Sequence, residues 1–199
     1  MSGDHSARAH ATWAASATAA NWHCAGRIAL TKDMPNTTSI HAARGTAAHQ
    51  VAELCLRAHD DAIEVLGVPL LIEGYSIEVD EEIVASAQMY IDYVRKRVAD
   101  GGDLWLETRL PLAALDPPFD AGGTVDARLI FPGKRLVEIV DFKHGVGVVE
   151  ADSPQLKTYA LGTLLDLGQY ASNYDTITTT IVQPRAHHAS GSPADLPAR

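Results

Sequence analysis

The order of hydrophobic periods along this 199-residue chain predicts an α/β (α+β) fold, a mixed β-sheet flanked by helices. Two stretches of helical period come first. Three consecutive strand-like runs follow, and a capped helix and a Thr-rich run complete the pattern. With 46% apolar residues the chain can bury an ordinary core. A single unit is therefore expected over residues 1–185, with a helical segment over about 1–40, a core over about 40–185 and a flexible tail over 186–199.

The first forty or so residues are rich in Ala, Ser, Thr and His, and Trp13, Trp22 and Cys24 read as part of a short helix. From Ser39 to Leu66, the residues Ala47, Ala48, Val51, Leu54, Cys55 and Ala58 recur at three- and four-residue spacing, so a helix is expected until Gly67 and Pro69 stop it. His49 and Glu53 share one flank of that helix. Asp80 is a good N-cap for a second helix, along which Ile83, Ala87, Tyr90, Ile91, Val94 and Val98 form one apolar stripe ended by Gly101 and Gly102.

The period then becomes alternating. Leu104, Leu106, Thr108 and Leu110 are expected on one face of a strand, with Trp105, Glu107 and Arg109 on the other. After a turn-rich stretch, Thr124 to Phe131 reads as a second strand, and Pro132-Gly133 turns tightly into a third, Leu136 to Lys143, whose β-branched run suits a buried central position. Ser153 caps a helix with Pro154 at its first position, ending at Gly168. A last strand covers about Asp175 to Val182, before Pro184. His187 and His188 fall in the tail and read as exposed.

No apolar run approaches the roughly 20 residues that span a bilayer, and the N-terminus lacks a signal-type pattern, which predicts a cytoplasmic protein without membrane association. Two cysteines, Cys24 and Cys55, without metal-type spacing, suit a reduced compartment and read as small apolar side chains. A formal charge of −9 argues against a protein that coats nucleic acid by general attraction. Acidic residues gathered as metal ligands would reverse that sign locally once a cation binds. The dense basic run Arg95-Lys96-Arg97 reads as the solvated end of a helix, where cations favour the dipole.

The stretch that carries chemistry is Gly123-Thr-Val-Asp126, followed fifteen residues later by Val140-Asp141-Phe142-Lys143 on the neighbouring strand. A hairpin brings Asp126 and Asp141 near one another, while their facing depends on a register that the sequence leaves open. Close carboxylates repel unless a cation lies between them, and hard oxygen ligands suit Mg²⁺ or Mn²⁺. Lys143, two residues from Asp141, emerges on the same face of an extended strand. Glu107 reads either as support for a metal through water or as half of a cross-strand charge pair. A zinc site through His49 and Glu53 at i,i+4 lacks the second histidine and adjacent glutamate of H-E-x-x-H.

Four features in order resemble the RecB-like branch of the PD-(D/E)XK nucleases, which includes phage and prophage exonucleases: Gly45-Thr-Ala-Ala-His49, Gly123-Thr-Val-Asp126, Val140-Asp141-Phe142-Lys143 and Gln155-Leu-Lys-Thr-Tyr159. The resemblance spans about residues 40 to 185 and implies a restriction-endonuclease-like core. It also implies a Mg²⁺ or Mn²⁺ held by His49, Asp126, Asp141 and the backbone carbonyl of Phe142. Asp126, Asp141 and Lys143 would be catalytic, and Gln155 and Tyr159 would lie along DNA. The implied partners are DNA, a recombination or single-strand-annealing protein, and further copies of the chain. Several relatives use four cysteines to hold an iron–sulfur cluster; with two cysteines, that cofactor is not expected here. No G-x-x-x-x-G-K-[ST] occurs, so ATP-driven unwinding would need a separate protein. A non-catalytic module binding nucleic acid or protein on the same fold is the alternative, and the acidic charge favours it.

Overall fold

The computed structural model describes residues 11–24, 26–34 and 38–185. A two-residue strand, β1 (Trp13–Ala14), leads into a 3-10 turn and two short helices, α1 (Thr18–His23) and α2 (Arg27–Thr31). Trp13 was expected in a helix; instead its amide donates to the Asp120 carbonyl at 2.9 Å and its indole stacks on Phe119 with ring centroids 6.0 Å apart. The pull of a partner strand and an aromatic neighbour outweighs the local Ala-rich composition. Trp22 does lie in α1, and Cys24, just beyond it, is exposed rather than a buried apolar group. The tail over 186–199, with His187 and His188, lies outside the described residues.

Helix α3 (Ile40–Ala58) is capped by the Ser39 hydroxyl and stops at His59, whose φ of 63° turns the chain out of the helix eight residues before Gly67. The expected continuation to Leu66 is replaced by a short 3-10 turn, and a hairpin of β2 (Pro69–Ile72) and β3 (Tyr75–Glu78) follows. Its two-residue loop, Glu73-Gly74, has positive φ at both positions, the geometry that matches strand twist. Four-residue strands are too short to show an alternation in sequence. Helix α4 (Glu81–Ala99) begins at Asp80, whose carboxylate accepts the Ile83 amide at 3.0 Å. The stripe is buried through Val94, whereas Val98 is exposed at the last turn.

Strands β4 (Asp103–Pro111), β5 (Ala121–Phe131) and β6 (Leu136–Phe142), helix α5 (Pro154–Leu167) and β7 (Thr176–Val182) complete the fold. β4, β5 and β6 are antiparallel neighbours, β7 runs parallel to β6, and β1 runs parallel to the start of β5. The sheet is therefore mixed. Ala127, Leu129, Phe131, Val140 and Phe142 face α3 and α4, while Val125, Ile130, Val137, Ile139 and Tyr159 form the core under α5. Among the described residues no helix is long and apolar enough to cross a membrane.

Two irregularities position the site. First, Leu104 and Leu106 pack on the α3/α4 side while Leu110 packs on the α5 side, so the single face expected for β4 turns over between them. The turnover falls at Glu107, whose φ is 49°, a left-handed conformation costing a non-glycine residue about 1–2 kcal/mol. β5 turns over with it, since Val125 and Ala127 also lie on opposite sides. The register is the same before and after, Leu106 opposite Ala127 and Thr108 opposite Val125, with Glu107 and Asp126 between these two pairs. Second, β6 pairs with β5 only from Ala127 to Phe131, and β1 takes the same edge of β5 at Ala121 and Gly122. Residues 123–126 lie in the split between them.

At the helix end that reads as solvated, Lys96 is exposed, but Arg95 and Arg97 are tied down. Arg97 Nε lies 2.6 Å from a carboxylate oxygen of Glu138, a residue only 3% exposed in the centre of β6, and the Tyr93 and Thr180 hydroxyls donate to the other oxygen at 2.5 and 2.9 Å. Arg95 pairs with Asp61. Removing Arg97 would leave a buried carboxylate without its cation. Arg97→Ala is expected to lower the unfolding free energy in urea by about 2–4 kcal/mol, and Arg97→Met with Glu138→Leu to recover at least half of that loss.

Candidate metal centre

Ala43, Ala47, Ala48 and Ala52 on α3 are buried in the core that this helix and α4 share with Val140 and Phe142 of the sheet. His49 of the same helix reaches the split between β5 and β6, with its ring 5.0 Å from that of Phe142 and its Nδ1 3.4 Å from Asp126 Oδ1. The other carboxylate oxygen of Asp126 accepts the Phe142 amide at 2.7 Å. That bond stands in for a ladder that β5 and β6 no longer form, and it fixes the carboxylate at the mouth of the split. Glu107 enters from β4. His49, Glu107 and Asp126 each offer one ligand atom within 4.8 Å of the others.

Asp141 and Lys143 come from the end of β6. Asp141 is buried, with one oxygen 2.8 Å from Lys143 Nζ and the other accepting from Gln155 Nε2 at 3.1 Å. The Gln155 amide also donates to the Tyr159 hydroxyl at 3.2 Å, one turn along α5. Lys143 is held by its backbone, whose amide donates to the Val182 carbonyl at 2.9 Å. Gly123, first residue of the Gly-Thr-Val-Asp run, is required by this crowding: a Cβ there would lie 2.8 Å from Ala15 Cβ and 2.9 Å from Tyr159 Cε1.

The electrostatics follow from burial and from like charges set side by side. Burial raises Asp141, and the neighbouring Asp126 raises it further, to about 6 despite Lys143. Burial also works against ionised Asp126, but His49, Lys143 and the Phe142 amide outweigh it and hold that carboxyl below its ordinary value. For His49, burial disfavours the imidazolium, yet Asp126 and Glu107 overcome this and raise it. One carboxylate is thus firmly ionised and the other only just ionised at neutral pH.

The residues to which the resemblance assigns roles meet here. His49, Asp126, Asp141, Lys143, Gln155 and Tyr159 converge from α3, β5, β6 and α5, and Phe142 reaches the centre through its amide and its ring. Glu107 sits beside a second acid: it and Asp126 fall between the same two register pairs, and their ligand atoms lie within 4.8 Å of one another. Tyr90, seen in sequence only as part of an apolar stripe, packs its ring 5.0 Å from Phe142. The donor set, one imidazole nitrogen and several carboxylate oxygens gathered at a strained strand, fits a hard divalent cation such as Mg²⁺ or Mn²⁺.

Fold and site together define an α+β protein with an imidazole–carboxylate–lysine centre at a split in its sheet. A family model described as a protein of unknown function, DUF2800, matches residues 10–196, and the chain belongs to that family.

Because the Asp141 carboxyl is raised from 3.8 to about 6, the protonated form is the one that folding favours. The stability it contributes is complete below about pH 4 and is lost as pH rises through about 6. In EDTA, Asp141→Asn is expected to melt higher than the parent at pH 7–8, the difference closing toward pH 4. Millimolar Mn²⁺ should raise the melting temperature of the parent more than that of the variant. A thermal melt series from pH 4 to 8 checks both.

Proposed function

We propose that this chain is a divalent-metal-dependent DNA nuclease with a restriction-endonuclease-like core, acting as an exonuclease on phosphodiester bonds in recombination, repair or phage DNA processing. The observation that carries the reading is the convergence of His49, Glu107, Asp126, Asp141 and Lys143 at one split in the sheet, reached from both of its faces.

Phosphodiester hydrolysis requires a deprotonated water, neutralisation of the phosphate, and positive charge beside the developing pentacovalent phosphorus. His49, Asp126 and Asp141, with Glu107 and the Phe142 carbonyl, would hold the Mg²⁺ or Mn²⁺, which supplies Lewis acidity toward the phosphate and lowers the pKa of water. Lys143, only partly buried beside Asp141, is placed to orient the attacking water and to offset charge on the phosphate. Asp141, 2.8 Å from Lys143 Nζ, would hold that ammonium beside the ion. Gln155 keeps Asp141 oriented and, with Tyr159, lines the approach along α5 where DNA would lie.

The same reading assigns a cytoplasmic location, DNA as substrate, and a recombination or single-strand-annealing protein or further copies of the chain as partners. The net charge of −9 is the feature favouring the alternative, a non-catalytic module that uses its carboxylates structurally.

End-labelled linear DNA and a closed circle, incubated with and without Mg²⁺ or Mn²⁺, separate the readings. Metal-dependent loss of linear ends with survival of the circle is expected. Lys143→Ala and Asp126→Asn should each lower the rate by at least about 100-fold while the protein still folds. Absence of turnover on every DNA form, or full activity in both variants, refutes the nuclease assignment.

A further inference from the structure

Tyr90 occupies the middle of α4, with its ring stacked at 5.0 Å and 20° on Phe142, the same ring that His49 approaches from α3. It is 3% exposed, and its hydroxyl is buried without a hydrogen-bond partner among the described residues. Leaving a buried hydroxyl unpaired costs about 1–3 kcal/mol, and phenylalanine would fill the same space without that penalty. Packing alone therefore does not account for the oxygen atom.

Carboxylates on four separate elements act on this hydroxyl: Asp126 from β5, Glu107 from β4, Asp141 from β6 and Glu53 from α3. Burial first, and then these carboxylates, push the phenol well above its ordinary value. It is a buried hydroxyl without an acceptor, on a ring stacked against the residue whose amide Asp126 accepts.

We propose that Tyr90 is a positioning residue of the metal centre, whose hydroxyl donates to a carboxylate oxygen of Glu107 or Asp126 when these residues hold a divalent cation. Such a bond fixes the rotation of the carboxylate and leaves its other oxygen for the ion, as outer hydrogen bonds do for metal ligands generally. The inference rests on the metal-centre reading above.

Calorimetric titration of Mn²⁺ into the full chain tests it, alongside Tyr90→Phe, Asp126→Asn and thermal melts in EDTA. The parent should bind Mn²⁺ and Asp126→Asn should not. Tyr90→Phe should melt in EDTA at or above the parent temperature, yet bind Mn²⁺ about 10-fold more weakly. Affinity within twofold of the parent overturns the assignment, as does a clear fall in the EDTA melting temperature, which would mark the hydroxyl as structural. If the parent does not bind Mn²⁺, or Asp126→Asn binds like the parent, the metal-centre reading itself fails and this inference falls with it.

Discussion

Asp126 accepts the Phe142 amide at the point where β6 leaves β5, and the rest of the centre depends on that hydrogen bond. A continued ladder would have paired the Phe142 amide with backbone and kept the two faces of the sheet apart. With the strands parted, His49 reaches Asp126 from α3, and Asp141 and Lys143 meet the same space from the α5 side. The short strand β1, on the vacated edge of β5, keeps the split from running on to the end of the strand.

The local charge pattern is costly without a cation. Glu107 and Asp126 bring ligand atoms within 4.8 Å of each other, and Asp141 adds a third carboxylate whose ionisation burial and Asp126 oppose. Lys143 answers Asp141 and His49 answers Asp126, yet the backbone at Glu107 also sits in a strained conformation that the surrounding sheet must maintain. Strain, burial and like charge concentrated at one point, while the hydrophobic layers on either side are regularly packed, mark the place where the sequence departs from the demands of folding alone.

Most of the architecture could be read from periodicity because it rests on local signals. Asp80 and Ser153 cap their helices as their residue types require, and the β-branched run of β6 is buried on both faces. The misses have physical causes. Trp13 and the β2–β3 hairpin are decided by partners distant in the chain, and the termination of α3 at His59 depends on a left-handed residue that carries no glycine signal. The turnover of β4 at Glu107 leaves the alternation of residue types intact, so nothing in the pattern announces it. At the site, the motif residues were evident in sequence, but Glu107 and Tyr90 acquire their places only through the kink and through α4 packing on Phe142.

A crystal grown with millimolar Mn²⁺ and measured at the manganese absorption edge tests the central claim most directly. An anomalous peak in the split, about 2.0–2.3 Å from His49 Nδ1 and from an Asp126 carboxylate oxygen, is the expected result. A saturated crystal with no peak there, or with manganese bound only elsewhere on the surface, would contradict it.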